Sequence, residues 1–366
     1  MLSEHLLNLN LMKMKKHIHT FCFVLLSIAT VFAGNPDRQG EAGAAELLLN
    51  PWARSAGVHS MSTASVTGVE SMRINIAGLS RISKGELSVS NARLYEGTGI
   101  GMSSVGFASK VGSSGAFGLS LVAMDFGDVA VTTTAQPEGL GGTYSPNFFN
   151  LGLGYAYTYK GKEENSGSIS VGVLFRAISQ TVPGLSAGGF ALDAGVQYVS
   201  GERDNFKLGI SLRNVGTPMN FGGEGLTFRT EAQDPTEPYD VTVAQLGQEF
   251  ELPSVLNIGL SYDFYFAEDM FLRALTNFTS NAFSSDNIGV GAEFNFRNLV
   301  TLRGAYKSDI GGTLGNVPNV YTGLAGGISV DVPLKRAENR IVGIDYAYRA
   351  TNPFRGTHNF SIRLGF

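Results

Sequence analysis

The chain has 366 residues, of which 47 are Gly, 24 Phe and 13 Tyr, while only 16% are charged. Glycine is nearly twice its usual share and charge falls well below the usual ~25%. Such a composition excludes bulk disorder, glycine without a three-residue period excludes collagen, and a formal net charge of -4 gives no electrostatic case for a nucleic-acid partner.

A mean hydropathy of +0.06 with so few charges requires either a very large core or apolar residues that face lipid. At the N-terminus Lys13, Lys15 and Lys16 precede an apolar run from Phe21 to Phe32, and Val31-Phe32-Ala33 supplies a cleavage position. Residues 1–33 are therefore predicted to be a cleaved signal peptide, with Met12 as its natural start. The run is too short for a spanning helix, and no other run reaches ~18 apolar residues. Cys22, the one cysteine, lies inside the run. The exported chain is thus expected to hold no disulfide and no thiolate metal site. Removing the leader, with its three lysines and Glu4, leaves 24 basic and 30 acidic residues.

Residues 34–83 differ from everything after them. The stretch from Glu41 to Leu79 is rich in Ala, Ser and Leu, carries the only Trp and alternates weakly. It is too long for a leader remnant and is expected to enter or cap one mouth of the structure that follows.

From residue 84 to 366 the dominant period is two. Phe149, Leu151, Leu153, Tyr155, Tyr157 and Tyr159 alternate with Asn150, Gly152, Gly154, Ala156 and Thr158. Phe206, Leu208, Ile210 and Leu212 alternate with Lys207, Gly209, Ser211 and Arg213, and Ile288 to Phe296 repeats the pattern against Gly289, Gly291, Glu293, Asn295 and Arg297. In a strand this gives one apolar face and one small or polar face. Fourteen such segments are expected, starting near 85, 100, 115, 148, 168, 189, 206, 254, 269, 287, 299, 320, 340 and 358. Most have the ~9–11 residues that a tilted strand needs to cross a bilayer.

Short turns are expected near 111–114, 161–166, 200–205, 266–268, 297–298 and 333–339. Longer loops are expected near 126–147, 178–188, 215–253, 279–286, 308–319 and 350–357. A soluble sandwich has no reason to keep its long loops at one end, whereas an outer-membrane barrel does. The last strand places His358, Phe360, Ile362, Leu364 and Phe366 on one face, the ending typical of bacterial outer-membrane barrels, so the barrel assembly machinery is an expected partner. The fold class is therefore all-β: a transmembrane antiparallel β-barrel of about 14 strands with an N-terminal plug or cap, set in outer-membrane lipid. Arg176, Arg213, Arg297 and Arg363 alternate onto the inner face, where they are expected to be lumen salt-bridge partners rather than a substrate ladder.

Ala44 to Gly57, which includes Asn50-Pro51-Trp52-Ala53-Arg54, resembles the opening of the PorV/PorQ family of Bacteroidetes outer-membrane proteins. Asn75-Ile76-Ala77-Gly78-Leu79 is similar to the family's Asn-Pro-Ala-Gly-Leu. The likeness returns at Leu212 to Phe221, at Ile344 to Tyr348 and at His358 to Phe366. Val58-His59-Ser60 stands where members often have Met-Gly-Gly, and Ile76 stands in place of the motif proline. The resemblance implies a fourteen-stranded barrel related to the FadL long-chain fatty-acid transporters. For PorV-like members it implies a type IX secretion role, with a translocon or secreted cargo as partner.

Catalytic motifs are weak. Gly184-Leu185-Ser186-Ala187-Gly188 matches G-x-S-x-G, but it falls in an expected loop before an alternating strand rather than in a strand–turn–helix elbow. Gly161-Lys162 lacks the upstream glycine of a phosphate loop, and His59 and His358 are too few for zinc. Glu231, Asp234, Glu237 and Asp240 read as a solvated loop rather than a calcium site. No enzyme activity and no cofactor are expected. Three functions stand open: partner binding through the loops at 126–147 and 215–253, FadL-like passage of hydrophobic molecules past a plug, and a purely structural barrel. Partner binding ranks first on the sequence.

Overall fold

The computed structural model describes residues 38–139, 141–161, 167–232, 239–310, 319–335 and 340–366. The leader, with Lys13, Lys15, Lys16 and Cys22, lies outside the described residues, as do Lys162, Asp234 and Glu237.

Period-two patterning becomes eighteen described strands. They are β1 (Gly85–Arg93), β2 (Gly101–Val111), β3 (Gly115–Asp125), β4 (Val129–Ala130), β5 (Thr143–Tyr144) and β6 (Asn147–Lys160). Then come β7 (Ser168–Val182), β8 (Leu185–Ser200), β9 (Phe206–Gly216), β10 (Thr227–Ala232), β11 (Tyr239–Ala244) and β12 (Val255–Ala267). The last are β13 (Met270–Asn281), β14 (Asp286–Phe296), β15 (Val300–Ile310), β16 (Tyr321–Lys335), β17 (Arg340–Thr351) and β18 (Thr357–Gly365). Fourteen of them form one closed antiparallel barrel, and the pairs β4–β5 and β10–β11 are separate two-stranded sheets within connections.

The barrel closes where β1 meets β18, in register from Glu86 opposite Gly365 to Arg93 opposite His358. Gly85 and Phe366 extend the seam by exchanging backbone hydrogen bonds of 2.8 and 3.0 Å. Phe360, Ile362, Leu364 and Phe366 all face outward and are exposed. So do Leu151, Leu153 and Tyr155 on β6 and Val171, Val173 and Phe175 on β7. Paired aromatics, Tyr157–Tyr159 and Tyr262–Phe264, sit on this outer face close to the short turns. An apolar belt edged by aromatics is the surface that a bilayer requires.

Thirteen of the fourteen expected starts fall within one residue of a barrel strand's start. The exception is β8, which begins at Leu185 rather than near 189. Its neighbour β7 runs to Val182, so the expected loop at 178–188 is only the two-residue turn Pro183-Gly184. Gly184 takes φ +75° there, a backbone shape that favours glycine. Ser179, Gln180 and Thr181 look like loop residues because they are polar, yet they pair with Gly188, Ala187 and Ser186. The long loops of that rim are thus carried mainly by residues 126–146 and 217–254.

Residues 44–82 lie inside the barrel, where Ala53–Ala56 packs against β16, β17 and β18 and Ile76–Arg81 against β3, β6, β7 and β8. The inner-face glycines make room for this segment. A Cβ on Gly195 would collide with Asn75 Oδ1, and one on Gly209 with the Thr63 carbonyl. Gly154 and Gly172 leave the trough that Ile76 fills. Gly195→Val is therefore expected to destabilise the barrel by about 1–3 kcal/mol through overpacking. Gly304→Ala, where an added Cβ meets nothing within 4 Å, serves as the neutral control in urea unfolding from lipid vesicles.

Candidate functional site

The lumen is where this chain concentrates its polar chemistry, because one strand face must be apolar for lipid and only the other is free for charge. Asn50 organises the entry of the N-terminal segment. Its Nδ2 donates to Ser55 Oγ and Ser60 Oγ, both at 2.9 Å, and its Oδ1 accepts from Trp52 N at 3.1 Å. Barrel residues grip the same stretch. Asn359 Nδ2 donates to the carbonyls of Asn50 and Pro51, Ser90 Oγ donates to Pro51 O, and Ala53 N donates to Ser361 Oγ.

Trp52, Ala53, Arg54, Asn75, Ala77, Gly78 and Leu79, which carry the N-terminal part of the resemblance, all lie in this segment. Trp52 is 1% exposed in a cluster with Val69, Met72, Ile76 and Leu79. Ala53 packs with Ala56 against Ala347. Arg54 Nη2 donates to Thr67 O, and its Nε lies 3.6 Å from the fully buried Glu70. Asn75 clamps plug to wall: its Nδ2 donates to Thr63 O at 2.9 Å and to Val196 O on β8 at 3.0 Å. Ala77, Gly78 and Leu79 follow in a buried 3-10 turn, and a Cβ on Gly78 would strike the Val66 carbonyl.

Of the four expected lumen arginines, three point inward. Arg176 is 2% exposed and holds Asp193 through Nε at 2.8 Å and Nη2 at 2.6 Å. It also donates to Met72 O. Arg363 bridges Asp345 at 2.8 Å and Asp331 at 2.7 Å. Arg213 donates to the Arg73 carbonyl. Arg297 does not line the lumen. Strand β14 ends at Phe296, and Arg297 sits exposed in the turn with φ +55°, stacked over the Phe296 ring at 5.3 Å. Alternation was carried one residue too far there.

The largest ion-pair network was not singled out from the sequence. Lys207 and Arg273 share Asp263, Arg273 and Arg303 share Glu293, and Arg303 continues to Ser329. Ser329 donates to Asp345, which leads to Arg363. The signal existed, since Lys207 and Glu293 occupy the polar face of their strands. The pairing between strands did not follow from period alone.

Toward the long-loop rim the lumen changes character. Leu47, Leu94, Met102, Met124, Phe148 and Met219 form a buried, packed apolar cluster with Leu49, Phe221 and Phe250 around it. At its edge Glu46 accepts from Gln180 Nε2 at 3.0 Å. Burial raises the Glu46 carboxyl pKa, opposed by a backbone hydrogen bond and by Gln180. At the opposite rim a cleft of about 740 Å³ opens beside Arg203, Asn205, Asp263 and Tyr265.

Ser186 of the G-x-S-x-G motif lies in β8, whereas His358 lies in β18, six strands away by the shorter path around the ring. His358 bonds to Tyr346 and Glu96 instead. Glu231 opposes Asp240 across β10–β11. Among the described residues no group of three or more His, Cys, Asp or Glu side chains could hold a metal ion.

No family model matches the chain, and no curated protein matches it. Solved structures do. The fold is similar to that of the CymD monoaromatic hydrocarbon channel, with TM-score 0.53 and 14% identity over 87% of this chain and 97% of that one. A Pseudomonas aeruginosa FadL homologue gives TM-score 0.48 and 12% identity over 86% and 98% of the two chains. The Pseudomonas putida toluene transporter TodX gives TM-score 0.47 and 12% identity over 83% and 96%. The first of these establishes a shared barrel fold.

Asp193→Asn leaves Arg176 buried without its counter-charge, and a loss of about 3–5 kcal/mol is expected. Arg297→Gln should leave the unfolding midpoint unchanged. Urea titration followed by Trp52 fluorescence measures both.

Proposed function

We propose that the chain is an outer-membrane barrel that admits hydrophobic small molecules at its long-loop rim, with residues 44–82 closing the lumen below. The buried apolar cluster of Met102, Met124, Phe148 and Met219 at that rim carries this reading. An apolar molecule that displaces these side chains leaves water for an apolar surround, which is favourable. Methionine suits such a surround because its unbranched side chain adapts to varied apolar shapes. The apolar outer belt, the short turns at one rim and the two long loops at the other support an outer-membrane setting with the apolar cluster toward the outside. The shared barrel fold with a monoaromatic hydrocarbon channel agrees with this reading. Passage beyond this cluster requires the N-terminal segment to shift, because Trp52, Leu79 and the groups around Asn50 fill the route.

Liposomes carrying the protein should take up labelled laurate or toluene faster than empty ones. Met102→Glu, which sets a carboxylate in the apolar cluster, should remove most of that excess, and a chain lacking residues 41–79 should leak. Equal uptake by filled and empty liposomes, with the barrel folded, contradicts the proposal.

A second reading is a type IX secretion component that binds a translocon or secreted cargo. Besides the PorV/PorQ resemblance, it is supported by the β10–β11 hairpin, which leaves Phe228 at 55%, Tyr239 at 57% and Leu246 at 92% exposure. A free hairpin edge with exposed aromatics is a template for strand pairing. Affinity capture from outer membranes should recover translocon or cargo with the full chain and lose it when residues 224–246 are removed. Recovery of the barrel alone counts against this reading.

A further inference from the structure

Four cations gather in the lumen, with Asp193 and Asp309 near enough to attract some of them but forming no ion pair with any of the four. Arg73 and Arg349 are each 3% exposed, and Arg213 and Lys307 are half-buried. Among the described residues, none of the four forms an ion pair. Asp193 is engaged by Arg176 and Asn214 N, Asp309 accepts from Asn287, and Glu46 accepts from Gln180. The guanidinium groups fall back on backbone carbonyls. Arg73 donates to Glu46 O and Leu49 O, Arg349 to Asn50 O and Arg213 to Arg73 O.

These bonds leave donors over. Among the described residues, Nε of Arg73, of Arg213 and of Arg349 has no partner, nor has Nε2 of the neighbouring His59. Lys307 donates to none of the described groups; Asp309 is near enough to attract it, and Arg213 and Arg349 are near enough to repel it. Arg349 lies 4.7 Å over the Tyr321 ring, and that ring meets His59 at 5.7 Å, which fixes one wall. Burying like charges together with unsatisfied donors is strongly unfavourable unless an anion joins them.

We propose that Arg73, Arg213, Lys307 and Arg349 form an anion-binding site for one small oxyanion group, a carboxylate or a phosphate. Guanidinium groups suit either, because their planar donors match paired oxygens. The stretch Glu46–Asn50 separates this site from the apolar cluster, since Leu47 packs in the cluster while the carbonyls of Glu46, Leu49 and Asn50 face the arginines. The bound oxyanion is therefore either a free ion or the head of a molecule whose tail displaces side chains of the cluster. The site rests on the buried cations and stands whether or not the barrel transports.

Thermal unfolding of the leader-free chain in a neutral detergent, read by Trp52 fluorescence, separates these cases. The probes are inorganic phosphate, laurate and dodecanol, each against chloride at matched ionic strength. Phosphate should raise the midpoint if a free ion fits. Laurate should raise it well beyond dodecanol if the head belongs to an amphiphile. Lys307→Gln and Arg349→Gln should each weaken the effective anion about tenfold, while Lys84→Gln at the opposite rim leaves it unchanged. Lys307→Gln breaks no hydrogen bond to a described group, so it keeps the test sound if Arg349→Gln misfolds. The proposal is overturned if neither anion acts beyond chloride, if laurate acts no more than dodecanol while phosphate is silent, or if Lys307→Gln responds as the parent does.

Discussion

Hydrocarbon offers no partner to a backbone amide, so a strand that crosses it must be paired on both edges. That constraint obliges β1 and β18 to meet, and the exchange between Gly85 and Phe366 completes the ring. Closure at fourteen strands has a second effect. Eight strands enclose an interior that side chains can just fill, whereas fourteen leave a void. The chain fills that void with its own residues 44–82. Its glycine content follows from this, since residues such as Gly154, Gly172, Gly195 and Gly209 let backbone approach backbone.

Filling a lumen with polypeptide brings polar backbone away from water, and the wall must answer each group. Gln197, Asn359 and Ser90 do so by donating to plug carbonyls, and Asn75 of the plug donates to the wall carbonyl of Val196. Elsewhere the wall answers itself. From Lys207 on β9 to Arg363 on β18, a continuous chain of ion pairs and hydroxyl links crosses eight adjacent strands. Buried pairs are weak contributors to net stability, but stranding one member is costly. The belt therefore favours one register for these strands over slipped ones. The cations around Lys307 lack such partners, which sets that part of the lumen apart.

Strand positions were legible because lipid on one side and polar filling on the other enforce strict alternation, and period two survives in every barrel segment. Failures arose where that pressure stops. Ser179 to Thr181 continue a strand past the apolar belt, where composition no longer distinguishes strand from loop. Arg297 obeys the alternation but lies beyond the last paired residue. Asn75 and Gly78 were recognisable as a motif by resemblance, yet their clamp across Thr63, Val66 and Val196 depends on contacts more than a hundred residues apart in part. The sharing of Asp263 and Glu293 between neighbouring cations depends likewise on inter-strand register.

The account holds that residues 44–82 are both the filling of a closed barrel and the element that must move for anything to pass. Gly57 and Gly327 approach closely enough that a Cβ on either lies within 3.2 Å of the other's Cα. Paired cysteines there, in a chain with Cys22→Ser, should form a disulfide between plug and wall. Laurate uptake into liposomes by the oxidised and reduced forms is the direct measurement. The account predicts that oxidation stops uptake and reduction restores it. Failure of the cysteines to join, or unchanged uptake with the crosslink complete, would contradict it.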